Sequence, residues 1–329
     1  MVVRSSAHSF DDPSIPHPAR RYNYWLGGRE NYRADRASGD AVASAMPTIR
    51  IGIRENRAFL RRAVRFMVES GIRQFIDIGP GIPAPDCTHE VAQAIAPETR
   101  VVYVDNDQVV IAYSRALLRN NAIPEGVGDG DGSIVDLQLP TFDCEDRGAD
   151  AGAGADPDGC AGRDAESAAA HVLAGGECPR RGLIGHVLSD LCDPDRILQN
   201  AETRAVIDFT RPVGLLLVAV AHFCTDDATV YPAVAKLIEV LPAGSMVAFS
   251  HVAADYMDPR IVTRVENALA DHNSAFRWRR TFDCARFAGG LEFVEPGLVP
   301  IAQWRAEGEP EPRPTPGEVG ICAWVARKP

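Results

Sequence analysis

Three acids and two glycines carry the chemistry that can be read most directly from this chain. In QFIDIGPGIPAPD, residues 74–86, Asp77 stands just ahead of the pair Gly79-x-Gly81. Asp105 closes the next apolar run, RVVYVD, and Asp190 closes a later one, GLIGHVLSD. A strand that enters a glycine turn and then a helix commonly cradles a nucleotide-like ligand, because glycine reaches backbone conformations that other residues avoid. An acid ahead of the glycines favours the positive end of a ligand. An acid ending the following strand can accept from both hydroxyls of a ribose. Asn106, next to Asp105, is then expected beside an adenine, and Asp190 can accept from its amino group.

Two ligands compete for such a turn. GPGIPA matches the loose G-x-G-x-x-A form of the dinucleotide fingerprint, with Asp105 at about the twenty-residue spacing of its ribose acid. Pro83 and Pro85 speak against a pyrophosphate, which needs free amides at a helix N-terminus that prolines lack. S-adenosylmethionine has no pyrophosphate; it carries an ammonium and a sulfonium, which a carboxylate at Asp77 favours. Any one of these acids is explicable as a helix cap. Three of them closing three successive strands, together with the turn, favour S-adenosylmethionine. The expected cofactor-binding set is Asp77, Gly79, Gly81, Asp105, Asn106, Asp190, Leu191 beside it, and Ala219 near the end of the fourth apolar run.

The methyl acceptor of such a cofactor belongs at the same edge. His222 and His251 end the fourth and fifth apolar runs, and His222 is the better placed for a catalytic base. A structural histidine capping a buried strand is the competing reading of His222. His89 falls in the first turn of a helix, toward solvent or the ligand's tail. Tyr22, Tyr24 and Trp25, with Gly28 and Asn31 around the Gly27-Gly28 turn, form an expected lid that covers ligand and substrate and excludes water. A simple hydrophobic anchoring of this arm onto the core is the alternative. No His/Cys/Asp grouping has metal-ligand spacing, so no metal is expected.

The elements that must position these residues follow from periodicity. Residues 50–69 place Phe59, Leu60, Ala63, Val64, Met67 and Val68 on one helical side and Arg54, Arg57, Arg61 and Arg65 on the other, an arginine stripe read as a solvated face. Gly71 ends that helix. Strand one spans residues 74–78, a helix about 86–96, strand two ends at Asp105, and a helix about 107–119 follows. Strand three is GLIGHVLSD. Next comes one helix over DPDRILQNAETRAVIDF, with Asp193 as N-cap and Pro194 at N1. Strand four is VGLLLVAVAHF, a helix runs through YPAVAKLIEVL, and strand five is SMVAFSH. Two β segments at the end are expected to pair antiparallel. The fold class is therefore α/β, with helices on both faces of a mostly parallel sheet. Residues 1–18 read as a disordered tail, 19–48 as a helical lid and 49–329 as the cofactor-binding domain. Residues 121–181, rich in Gly, Ala and Asp, read as a disordered acidic insertion.

With 34 basic and 45 acidic residues in 329, the net charge of −11 repels phosphate backbones and excludes nucleic acid as the natural partner. Eight cysteines without a C-x-x-C pair, and a polar N-terminus, suggest reduced thiols and a cytoplasmic protein. The longest apolar run, residues 213–220, is too short to span a bilayer.

Several stretches together carry a closer resemblance: PARRYNYWLGGRENYRADR, RENRAFLRRAVRFMVESGIRQFIDIGPGIP, HEVAQAIAPETRVVYVDND, SDLCDPDRIL, LLLVAVAHF and GLEFVEPGLVPIAQWR. The chain resembles the family of S-adenosylmethionine-dependent methyltransferases of unassigned substrate that is abundant in actinomycetes. The likeness runs from about Pro18 to the C-terminus, apart from the insertion. It implies a class I methyltransferase, Rossmann-like fold with a seven-stranded sheet and an antiparallel C-terminal hairpin. It also implies S-adenosylmethionine as cofactor and S-adenosylhomocysteine as product. The family's turn is more often Gly-Thr-Gly; Pro80 stiffens it here and removes a hydroxyl. The leading expectation is methyl transfer to a small molecule. A non-catalytic sensor or scaffold that binds the cofactor or its product is the alternative, with an NAD-dependent oxidoreductase behind both.

Overall fold

Strands that are apolar almost end to end must be covered on both faces, and that is how the central strands of this chain are placed. The structure, a computed structural model, describes residues 12–117 and 182–329. The readings of residues 1–18 as a tail and 121–181 as an insertion lie, the first largely and the second wholly, outside the described residues.

Three helices come first: α1 (Pro18–Trp25), α2 (Arg33–Ala45) and α3 (Ile49–Glu69). The alternating part follows as β1 (Gln74–Ile78), α4 (Thr88–Ile95), β2 (Arg100–Asp105), α5 (Gln108–Leu117) and β3 (Ile184–Leu188). It continues as α6 (Pro194–Gln199), α7 (Ala201–Val206), β4 (Gly214–Val218), α8 (Asp227–Glu239) and β5 (Met246–Val252). The C-terminal part comprises α9 (Pro259–Ala270), α10 (Thr281–Arg286), β6 (Glu292–Phe293), β7 (Val299–Pro300), α11 (Pro316–Val319) and β8 (Ile321–Arg327). Among the described residues no helix is long and apolar enough to cross a membrane.

The strand order is β3-β2-β1-β4-β5-β8-β6, with β7 also on β8. Strands β1 to β5 are parallel. β8 runs antiparallel to β5, and β6 and β7 run antiparallel to β8. This is the α/β, class I methyltransferase architecture expected, with one difference. The sheet has eight strands rather than seven because its outer edge is split into β6 and β7. Pro296, which lacks an N–H, and Gly297, at φ +82°, interrupt the ladder between them.

Side-chain alternation builds a core on each face. Phe75, Val101, Tyr103, Leu216 and Ala248 pack with Phe59, Ala63, Val64 and Met67 of α3. Ile76, Ile78, Val102, Val104, Leu215 and Leu217 pack with Val230, Val234 and Leu237 of α8. Each of the larger aliphatic or Phe side chains buried here contributes about 1.5–3 kcal/mol. The same alternation puts Asp77, two residues after Phe75, on the α3 face, and Asp105 on the face of Val101 and Tyr103. A third cluster joins Trp25, Val42, Met46 and Ile53 to Met257, Val265 and Leu269, and so ties α1 and α2 to α3 and α9.

Three element boundaries differ from the sequence reading. The single helix expected after β3 is two, because Asn200 breaks the run and its side chain accepts from Glu202 N to start α7. Asp193 and Pro194 do begin α6 as expected. Strand four stops at Val218 instead of reaching Phe223, because Ala219 adopts φ +57° and the chain turns into a short 3-10 segment, Ala221–Phe223. The helix after the glycine turn begins at Thr88 rather than near Asp86.

Candidate functional site

β1 is flanked by β2 on one side and β4 on the other, so the chain reverses direction of spread at its carboxyl end, where an open α/β sheet leaves a crevice. The glycine turn forms the floor of that crevice. Gly79 sits at φ +71° and donates its N–H to Val104 O at 2.8 Å; a Cβ there would lie 2.5 Å from Val220 Cγ2. Gly81, at φ +69°, donates its N–H to Asp105 Oδ2 at 3.3 Å. Both positions therefore demand glycine. The turn does not open directly into a helix, because Pro83 and Pro85 hold the following residues in a loop. Those prolines are loop residues and not part of a helix N-terminus, which corrects the role first given to them. Part of the arginine stripe on α3 clamps this loop: Arg57 Nη2 donates to Pro85 O at 2.8 Å and Arg61 Nη1 to Asp86 Oδ2 at 3.1 Å.

Asp77, only 4% exposed, receives the Thr88 hydroxyl at 2.7 Å. Burial pushes its pKa up to about 6 against the opposing pull of Thr88 and Arg57. Asp105 accepts from Asp107 N at 3.0 Å and from Gly81 N, and burial likewise raises it to about 6. Asp190 accepts from Cys192 N and from Asn106 Nδ2, both at 2.8 Å. All eight residues of the expected cofactor-binding set line one cavity.

The expected lid divides between two faces of α1. Tyr22 lines the cavity together with Ala19, Asn23 and Leu26, one helical face. Tyr24 and Trp25 face α2 instead: Tyr24 OH donates to Asp40 Oδ1 at 2.8 Å and Trp25 Nε1 to Gly39 O at 3.2 Å. Gly28 and Asn31 build the turn after α1, where Asn31 Nδ2 donates to Asn23 Oδ1 and Gly28 O, each at 3.0 Å.

His89, His222 and His251, the histidines singled out from the sequence, do not line the cavity. His222 lies in the 3-10 turn, buried among Phe223, Phe276 and His251, and is not among the residues that line the cavity. Burial, with His251 and Arg279 nearby, holds its pKa well below the usual range, so it is neutral. Its Nδ1 has no hydrogen-bond partner among the described residues. His251, inside β5, uses both ring nitrogens: Nδ1 donates to Val252 O at 2.7 Å and Nε2 accepts from Arg279 Nη1 at 2.8 Å. His89 Nδ1 meets Tyr103 OH at 2.9 Å.

Several cavity residues escaped the sequence reading. Asn56 sits on the apolar side of α3, and that polar residue on an apolar stripe was the available signal. Its Oδ1 accepts from Ser250 Oγ at 2.6 Å and its Nδ2 donates to Tyr22 OH at 3.0 Å. Ser250 Oγ in turn accepts from Ala219 N at 3.0 Å. One chain of hydrogen bonds thus links α1, α3, β5 and the strained end of β4. His17 lies against the loop after β2, with Nδ1 3.0 Å from Asp107 Oδ2 and 3.3 Å from Ala19 N. One ring nitrogen cannot accept from Ala19 while donating to Asp107, and the shorter contact with a fully buried carboxylate prevails. Burial alone would raise Asp107, yet His17 holds it below the usual range. No spacing announced Asp190, Cys192 and Cys224 as a group, but the structure gathers one ligand atom of each within 4.8 Å of the others.

The chain matches the family model described as S-adenosyl methyltransferase over residues 5–131 and 169–329. Two solved structures resemble it along nearly their whole length. A DUF574-family protein from Streptomyces avermitilis MA-4680 is 33% identical with a TM-score of 0.71, covering 97% of this chain and 99% of its own. A candidate methyltransferase from Thermobifida fusca YX is 28% identical with a TM-score of 0.72, covering 99% of each. Among curated proteins, none matches the chain. With the family model spanning most of its length and the acid-lined crevice at the switch point of its sheet, the chain belongs to the S-adenosyl methyltransferase family, whose cofactor is S-adenosylmethionine.

Proposed function

We propose that the chain transfers a methyl group from S-adenosylmethionine to a small-molecule acceptor and releases S-adenosylhomocysteine. The observation that carries this reading is the pair Asp77 and Asp105. Both are buried carboxylates raised to about 6, and among the described residues neither is hydrogen-bonded by a basic side chain. A buried carboxylate of this kind has room for a hydrogen-bond donor or a cation from a ligand. An amino-acid ammonium answers Asp77 and a ribose diol answers Asp105, whereas a pyrophosphate would bring like charge against both. Asn106, Asp190 and Leu191 then face the base, and Gly79 and Gly81 let the backbone approach closely.

When bound, the cofactor supplies an electrophilic methyl on a sulfonium, which a nucleophile takes by in-line displacement. The protein's contribution is alignment and exclusion of water. Ala19 and Tyr22 of α1, with its C-cap Leu26, wall the crevice, and the Ser250–Asn56–Tyr22 chain fixes that wall to the end of β4. Burial raises the Tyr22 pKa, so its phenol serves as a fixed dipole and not as a base. The walling helix and the net charge of −11 suit a small acceptor better than a nucleic acid.

Calorimetry with S-adenosylmethionine, S-adenosylhomocysteine and NAD tests the pocket; binding of NAD alone overturns the reading. Labelled-methyl turnover against host metabolite extract tests the transfer. One observation favours a cofactor sensor as the second reading: His222, the base expected from sequence, is sealed away from the cavity in a neutral state. Tight binding without turnover on any fraction of that extract supports the sensor.

A further inference from the structure

The loops after β3 and β4 meet at one wall of the cavity, and Asp190, Cys192 and Cys224 meet with them. A carboxylate oxygen and two Sγ atoms there lie within 4.8 Å of one another. The grouping is held from both sides. Asp190 and Cys192 share one turn, in which Cys192 N donates to Asp190 Oδ1 while Asn106 Nδ2 donates to Oδ2, both at 2.8 Å. Cys224 is fixed through its backbone: its N–H donates to Ala221 O at 3.3 Å and its carbonyl accepts from Arg279 Nη2 at 2.8 Å. Arg279 is itself tied to Asp227 at 2.7 Å. Both thiols are half-buried, and Asp190 and Cys224 line the cavity, which gives an ion a path from solvent. Each oxygen of Asp190 keeps a second acceptor position beyond the hydrogen bond it already makes.

We infer that Asp190, Cys192 and Cys224 bind one thiophilic divalent cation of the zinc class, with a fourth coordination position left to water or a small ligand. Tetrahedral coordination with metal–sulfur distances of about 2.3 Å and a metal–oxygen distance of about 2.0 Å places the donors about 3.5–3.8 Å apart. The observed grouping, within 4.8 Å, reaches that with a contraction of about 1 Å, which side-chain rotation supplies. Two soft sulfurs exclude calcium and magnesium, which prefer all-oxygen shells. The carboxylate distinguishes the site from a bare thiol pair, which would suit only a disulfide. Binding releases the two thiol protons to solvent and leaves the thiolates on the ion. The ion ties the β3 loop to the β4 loop. Where Asp190 also serves the adenine, as proposed above, ion and cofactor draw on one carboxylate and oppose each other.

The reduced full-length chain is titrated anaerobically with Co²⁺. The expected result is thiolate-to-cobalt charge-transfer absorption together with the visible bands of a tetrahedral ion, saturating at one per chain and displaced by Zn²⁺. Cys192→Ser and Cys224→Ser each lose those bands, and Cys284→Ser, at a buried thiol outside the grouping, keeps them. A measurement on the unaltered chain guards against misfolded variants: Zn²⁺ slows iodoacetamide labelling of both Cys192 and Cys224 by about tenfold or more, read by mass spectrometry. Absence of the bands overturns the site, as does their persistence in both serine variants or unprotected alkylation. A Cys192–Cys224 disulfide that forms in air while the reduced chain takes up no cobalt also overturns it, in favour of a redox pair. None of these readouts depends on methyl transfer, so the site and the proposed activity fail separately.

Discussion

Thr88 donates its hydroxyl to Asp77 Oδ2 at 2.7 Å from the first turn of α4, and it is the side chain that hydrogen-bonds this buried carboxylate among the described residues. One neutral hydroxyl does not offset the desolvation of a carboxylate, so the acid stays raised to about 6. An arriving ammonium changes that balance.

The sign of the pH dependence follows. Below the ordinary carboxylate value of 3.8 Asp77 is protonated in folded and unfolded chains alike, and its stability contribution is fully present. As pH rises toward about 6 the unfolded chain ionises first, so the cofactor-free protein loses stability across that window. Asp105 acts in the same direction. Cofactor binding ionises Asp77 and releases protons, so affinity rises with pH up to about 6 and levels above it. Calorimetry near that pH in two buffers of different ionisation enthalpy measures the release; an affinity flat through the window removes the Asp77–ammonium pairing.

Asp105→Ala is expected to weaken S-adenosylmethionine binding by about 1–3 kcal/mol, through loss of charge-assisted hydrogen bonds to the ribose. Titration calorimetry checks it. An unchanged dissociation constant would leave Asp105 as a cap for Gly81 and Asp107 alone.

Gly79→Ala forces a left-handed alanine whose Cβ meets Val220 Cγ2 at 2.5 Å. The backbone strain alone costs about 1–2 kcal/mol, with the crowding added to it. Urea unfolding is expected to show at least that loss, together with weaker cofactor binding.

Asn56→Ala leaves the Ser250 hydroxyl and the Tyr22 phenol each short of a buried partner. A destabilisation of about 1–3 kcal/mol is expected in chemical denaturation. Hydrogen exchange should rise in α1, which the phenol helps to hold; unaltered exchange there would show that the third apolar cluster anchors the helix by itself.

The succession of strands along the chain and the residues that come to line the cavity were legible because they rest on local rules. Apolar runs of strand length, the φ > 0 demand at Gly79 and Gly81, and acids just past strand ends follow from the chain within a few residues. The Tyr22, Tyr24 and Trp25 cluster was legible only as a group, since its division between cavity and α2 depends on how α1 is rotated against the sheet. VAVAHF continues the apolar pattern and so extends strand four too far; the left-handed turn at Ala219 is held by its hydrogen bond to Ser250, and the next residue, Val220, packs against Gly79, both partners being distant in sequence.

By itself, the sequence determined the parallel α/β layering and the acid-rimmed turn, because periodicity and backbone sterics act between near neighbours. Only the tertiary structure decided that His222 is sealed behind the crevice, that Asn56 and Ser250 brace its wall, and that Cys192, Cys224 and Asp190 converge. Those relations join segments far apart along the chain, and packing, which buries one face of an element and not the other, is what brings them into contact.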